Sequence, residues 1–193
     1  MVDTYQINKK IRDYFIINLR NGFKLHSKYT YAETTEGIPD VENTKIMITD
    51  VTPNEVYKVP VVYVDTLAGP ESRMLDFDLL CDGEGTEGTS SYINSTYLPM
   101  TVNIKVRAYD TIVRDELVDA LYQMLKSYLY DLSDNGIGVR KIDFIAETRE
   151  FIEDRWFYTN GLTVDIIAEW VEEYTEQAIT ASGVTVAVSI ANL

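Results

Sequence analysis

Residues Met100–Ala108 alternate strictly. Val102, Ile104, Val106 and Ala108 are separated by Thr101, Asn103, Lys105 and Arg107, the period-two pattern of a strand with one wet face. At Asp110 the period changes to three and four. Val113, Leu117, Ala120, Leu121, Met124, Leu125, Tyr128 and Leu129 mark one side, with Arg114, Asp115, Glu116, Asp119, Gln123 and Lys126 on the other. The pattern predicts a helix of about six turns over Thr111–Leu132. Asp110 or Thr111 can cap it, and Asp115 and Glu116 suit the positive end of its dipole. This strand-to-helix junction organises the rest of the chain.

Upstream, Ile7, Ile11, Tyr14, Phe15 and Leu19 against Asn8, Lys9, Arg12 and Asp13 predict a first helix over Asp3–Arg20, with Asn21-Gly22 as its stop. Residues Lys24–Asn43 read as a polar loop with room for a short strand near Tyr29 and Tyr31. Thr44–Val51 and Tyr57–Asp65 read as strands, and Thr52-Pro53-Asn54 between them predicts a hairpin. Pro60 lacks an N–H and belongs at an edge or bulge. Thr66–Thr96 reads as an irregular excursion whose glycine-rich part, Asp82–Ser91, is an exposed flexible loop.

Downstream, Val139–Glu147 is expected as a return strand and Arg149–Asp154 as a turn. Arg155–Glu172 is a long strand, the antiparallel neighbour of Met100–Ala108, with Leu162, Val164, Ile166, Ala168 and Trp170 on one face and Gly161 marking a bulge or bend. TEQAITASG then reads as a linker. The alternation Val184, Val186, Val188, Ile190 predicts a terminal strand that either closes its own sheet or adds to a neighbour's. The expected architecture is α+β, with a mainly antiparallel sheet, two long helices on one face and a C-terminal strand or arm. Residues 1–174 form one domain, 66–96 being its excursion, and 175–193 form the linker and arm.

A hydrophobic fraction of 46% over 193 residues, with mean hydropathy −0.13, is enough for one buried core and excludes disorder throughout. The formal net charge of −14 argues against electrostatic binding to a nucleic-acid backbone. It is compatible with a passage through which DNA slides. No apolar run reaches the roughly 20 residues of a membrane span and the first residues lack a signal-peptide core, so no membrane association is expected. Cys81 is the single cysteine, so no internal disulfide forms.

Candidate chemistry is sparse. His26 is the single histidine, which rules out layouts needing two and zinc sites built from His and Cys; it is expected at the surface. Asp76, Asp78, Asp82, Glu84 and Glu87 gather near glycines, but Leu80 stands where a calcium loop needs a ligand, and a solvated acidic loop is the better reading. Gly83, Gly85 and Gly88 precede Thr89-Ser90-Ser91 without the lysine of a phosphate loop. The 14 tyrosines and 6 phenylalanines lack interleaved basic residues, so they read as core and interface packing. No catalytic residue, metal or cofactor is expected.

The order of parts does resemble a known group. A first amphipathic helix, VPVVYVDTLAG, VNIKVRAYDT feeding RDELVDALYQMLKSYL, a short GIGV return and RWFYTNGLTVDIIAEW together resemble the tail terminator and neck proteins of tailed bacteriophages, over about residues 5–172. The resemblance implies a structural virion protein assembled in the host cytoplasm and located at the neck. It implies a homo-oligomeric ring, usually of six, that caps the tail tube protein, stops tail polymerisation and meets the head connector or head-closure protein. Where a sheath exists it can be a further partner, and genomic DNA passes through the lumen without specific binding. On this reading Val184, Val186, Val188 and Ile190 form a subunit interface, and Asp82, Gly83, Glu84, Gly85, Glu87 and Gly88 order on a neighbouring ring. The long excursion and extra terminal strand depart from the smaller terminators. A head-closure, collar or other neck protein is the near alternative, and a small acidic carboxylate-dependent hydrolase the remote one.

Overall fold

The computed structural model describes residues 4–33, 44–50, 60–67, 75–82, 89–152, 154–177 and 189–191; side chains are described for 8–33, 44–50, 60–67, 98–152 and 154–168. In chain order the elements are α1 (Thr4–Leu25), β1 (Thr30–Tyr31), β2 (Lys45–Thr49), β3 (Val61–Leu67), β4 (Leu75–Asp82), β5 (Thr89–Ala108), α2 (Thr111–Ser127), α3 (Leu129–Asp134), β6 (Ile137–Ile152), β7 (Arg155–Gln177) and β8 (Ser189–Ala191). The fold is α+β. Its sheet runs β1-β2-β3-β5-β7-β6, with β4 also on β5 and β8 also on β7. The β1–β2 and β2–β3 pairs are parallel and the others antiparallel, so the sheet is mixed.

β5 and β7 form the spine, in continuous register from Thr89↔Gln177 to Ala108↔Tyr158. At about 3.4 Å per residue this ladder is roughly 65 Å long. Its proximal half, from Leu98 onward, is flanked by β3 and β6, and its distal half by β4 and β8. The alternation read from sequence sets the inner face: Val102, Ile104, Val106, Leu162, Val164 and Ile166 are all essentially inaccessible. Ile46, Ile48, Val62 and Val64 continue that face across β2 and β3. Against it pack Phe15, Leu19 and Phe23 of α1, Leu117, Leu121 and Leu125 of α2, and Leu132 of α3, in one core. No described helix is long and apolar enough to cross a membrane.

Several expectations give way to packing. α1 does not stop at Asn21-Gly22 but continues to Leu25. A Cβ on Gly22 would lie 2.9 Å from both Met124 Sδ and the Tyr128 hydroxyl, so the glycine permits close approach of the helices instead of ending one. The long second helix is divided at Tyr128, with neither glycine nor proline at the break. Ser127 Oγ donates to the Met124 carbonyl at 2.7 Å, and the Tyr128 N–H is shared by the carbonyls of Met124 and Leu125, a local competition that ends the regular ladder. The cap is as expected: Asp110 is extended and accepts from the Ile112 N–H at 2.7 Å.

The expected hairpin between the second and third strands is overturned. β2 and β3 run parallel, Met47 opposite Val61, a relation that a tight turn cannot make. Buried Pro60 sits just before β3, and its carbonyl accepts from the Met47 N–H at 3.0 Å. The stretch 66–96, expected as irregular, carries the end of β3, all of β4 and the start of β5. At the start of β5 the alternation is obscured by serine, threonine and asparagine, which a strand accommodates when, as here, β4 and β7 pair with both its edges. β6 extends to Ile152, through most of the expected turn, and Ile152 pairs with Arg155 across a two-residue connection. Asp154 there has φ 62°, a left-handed conformation that aspartate tolerates. β7 likewise continues through Thr175, Glu176 and Gln177, residues expected in the linker.

Candidate functional site

The helices cover one face of the sheet, and the polar residues of β5 and β7 furnish the other. Cross-strand register decides what meets there. Thr101 Oγ1 donates to Asp165 Oδ1 at 2.9 Å, and Thr163 Oγ1 to Asn103 Oδ1 at 3.0 Å. Further along, Arg107 Nη2 donates to Glu150 Oε2 at 2.9 Å, and its guanidinium lies 4.5 Å from the ring centroid of Phe157. Phe157 is only 4% exposed although it faces away from the main core. Tyr109 packs on it at 4.6 Å, and Arg155 lies 5.5 Å from the Tyr109 ring. Such cation–aromatic stacking fixes the guanidinium in place.

Beside this stack is a cavity of about 200 Å³ lined by Tyr63, Lys105, Arg107, Thr148, Glu150 and Thr159, with Ile145 and Ala146 completing the wall. Two backbone features shape it. Gly161 lies between Lys105 of β5 and Ile145 of β6, and a Cβ there would fall 2.1 Å from the Ile104 carbonyl oxygen and 2.8 Å from Lys105 Cα. Only glycine permits this approach. The expected irregularity belongs to the opposite strand: β6 has one extra residue between Ile145 and Thr148, while β5 and β7 stay in register. The bulge brings Ile145 and Thr148, three apart in sequence, to the same cavity wall.

The same bulge orients Glu147 towards the helices. Its Oε1 lies 3.0 Å from Nη1 of Arg114, close enough for ion pairing but poorly aligned as a hydrogen bond. Arg114 Nε donates to Asp115 Oδ1 at 2.9 Å, and the guanidinium stands 5.9 Å from the Tyr158 ring. Arg114 was expected on the exposed side of α2, yet it is 3% exposed. Burial disfavours its charge, and the carboxylates Glu147 and Asp115 more than offset this, raising its pKa. Two residues on, Glu116 accepts hydrogen bonds from Lys28 Nζ and from the hydroxyl of buried Tyr29. The phrase Arg114-Asp115-Glu116 is thus a bolt between α2, β6 and the turn that follows α1.

The electrostatics on the cavity side follow from burial. The Tyr63 hydroxyl is pushed above the ordinary tyrosine value chiefly by burial, with Arg107 opposing and Glu150 and Asp65 adding to the rise. It therefore stays an O–H donor throughout the neutral range. Lys105 Nζ lies 5.8 Å from the Tyr63 ring. On the exposed part of β6, Lys141 is raised by its 2.6 Å contact with Asp143.

The residues singled out in sequence lie elsewhere. Ile190 is in β8, opposite Tyr174 of its own chain, and Asp82 ends β4 opposite Tyr92. Val184, Val186, Val188, Gly83, Glu84, Gly85, Glu87 and Gly88 fall outside the described residues. Asp76 and Asp78 lie in β4, a paired strand and not a loop, and Cys81 faces Ile93 in the register. His26, expected at the surface, is half-buried; its Nδ1 accepts the N–H groups of Lys28 and Tyr29 at 3.2 and 3.0 Å, closing the turn after α1. Among the described residues no group of three His, Cys, Asp or Glu side chains could hold a metal ion. Tyr63, Thr148, Glu150 and Thr159 were not singled out from sequence, because their convergence depends on register and on the bulge. No protein-family model matches this chain, and no curated protein matches it.

Proposed function

We propose that the chain is a structural subunit of a bacteriophage neck, forming a ring that caps the tail tube, ends its polymerisation and joins the tail to the head connector. The observation that carries this reading is the β5–β7 ladder. Its distal part, residues 89–97 against 169–177, extends about 30 Å beyond the strand segments that share the helical core, and β4 and β8 widen it into a platform. A subunit that must reach its neighbours has a use for such an extension.

Other features support the same reading. The helices occupy one face and leave the other, with its cross-strand polar pairs, available for contact. The net charge of −14 suits a lumen through which DNA moves without adhering. The strand-to-helix junction on which the resemblance rests is also braced, through Arg114 and Glu116. The functional test is tail morphology in a phage that lacks this protein. A terminator predicts tails of uncontrolled length; tails of normal length detached from filled heads would point to head closure and overturn the terminator role.

A further inference from the structure

We infer that the cavity on the uncovered sheet face is a binding site for a small tetrahedral oxyanion of the phosphate class, held by Lys105, Tyr63, Thr148 and Thr159 with Arg107 behind them. This goes beyond the neck reading and does not depend on it.

Size sets the first limit. At about 200 Å³ the cavity is smaller than the roughly 300–1,000 Å³ typical of drug-sized ligands, so it suits a compact ion. Charge sets the second. Lys105 and Arg107 line the cavity with Glu150 as the one carboxylate on the wall, and Asp65 is near enough to act on Tyr63, so two cations balance two acids here within a chain of net charge −14. An anion therefore meets two cations here that the overall charge of the chain does not suggest. Arg107 is already fixed, hydrogen-bonded to Glu150 at 2.9 Å and laid against Phe157, so its charge is preorganised with little further ordering cost.

The arrangement of donors sets the third. A carboxylate is best matched by a planar arginine fork. Here one Arg107 nitrogen is engaged by Glu150, and the other donors are an ammonium and three hydroxyl groups from four different strands: Lys105 on β5, Tyr63 on β3, Thr148 on β6 and Thr159 on β7. Donors converging from several directions suit an ion with oxygens on all sides. Lysine serves such an ion as a point charge. The β6 bulge and Gly161 make the wall possible, the first by turning Ile145 and Thr148 to one side and the second by placing no side chain between Lys105 and Ile145.

The test is titration of the full chain with inorganic phosphate at fixed ionic strength, followed by calorimetry and by the phosphorus resonance. The expected result is saturable one-to-one binding in about the millimolar range, competed by sulfate and not by acetate. Lys105→Met is expected to weaken it about tenfold or more, and Thr148→Val by a smaller factor, with the circular dichroism and the melting temperature in chloride unchanged for both. No saturation by about 50 mM phosphate, far above the expected range, would overturn the assignment, as would wild-type affinity in both variants. Displacement of phosphate by acetate as readily as by sulfate would overturn the tetrahedral preference.

Discussion

Replacing Gly161 with alanine tests the sheet at its tightest point. The new methyl would sit 2.1 Å from the Ile104 carbonyl oxygen and 2.8 Å from Lys105 Cα, where real contacts do not fall below 3.0 Å. Both obstacles are backbone, so relief requires β5 and β7 to separate by roughly 1 Å. Overpacking of this kind costs about 1–3 kcal/mol. A shift of that size also breaks one or two ladder hydrogen bonds, at about 1 kcal/mol each. The sum, about 2–5 kcal/mol, is a large share of the 5–15 kcal/mol typical of a domain. With a urea m-value of about 2 kcal/mol/M, the unfolding midpoint should fall by about 1–2.5 M. Gly138→Ala is the control, because its methyl would meet only the Ile167 carbonyl at 3.7 Å, an ordinary contact. It should be neutral, or stabilising by about 0.4–1 kcal/mol through the unfolded chain. A Gly161→Ala midpoint close to that of Gly138→Ala would refute the Lys105↔Gly161 register and the cavity built on it.

Two further perturbations address the junction at the start of α2. Glu116 is held below the ordinary carboxylate value of 4.5, first by its hydrogen bond from Lys28 and then by that from Tyr29. Its contribution is complete above that value and is lost as pH falls through the lowered folded value. The melting-temperature difference between wild type and Glu116→Gln should therefore shrink as pH drops below 4.5; a constant difference would contradict the assignment. Arg114→Met keeps the aliphatic stem and removes the charge shared by Asp115 and Glu147, whose side chains are 57% and 50% exposed. Because both carboxylates return to water, the urea midpoint should report a loss of about 1–2 kcal/mol and not the 3–5 of a fully buried pair. An unchanged midpoint would show that the buried guanidinium contributes nothing net.

Period was the most legible signal. The faces of β5 and β7 follow from alternation, and the buried stripe of α2 from its spacing of three and four, because one face of each had to be apolar; the antiparallel pairing expected of the two strands is observed as well. Parallel pairing of β2 and β3 was not legible, since a strand pattern carries no information about its partner's direction. Gly22 and Gly161 were read as punctuation when their role is close approach, which depends on Met124, Tyr128 and Ile104, far away in sequence. Arg114 was assigned to water because its charge outweighed its position; Asp115 beside it and the bulge that presents Glu147 together make its burial tolerable. The cavity was the least legible feature of all. The four hydroxyl and ammonium groups converge only once β3, β5, β6 and β7 are aligned, and the bulge that aligns the last of them leaves no mark in composition.

The ring is the central claim, and native mass across a concentration series, paired with negative-stain imaging, tests it most directly. The account predicts a closed ring of 22.0 kDa subunits that is lost when residues Val184–Ile190 are deleted. A monomer at every concentration, with or without purified tail tube as a template, would contradict it.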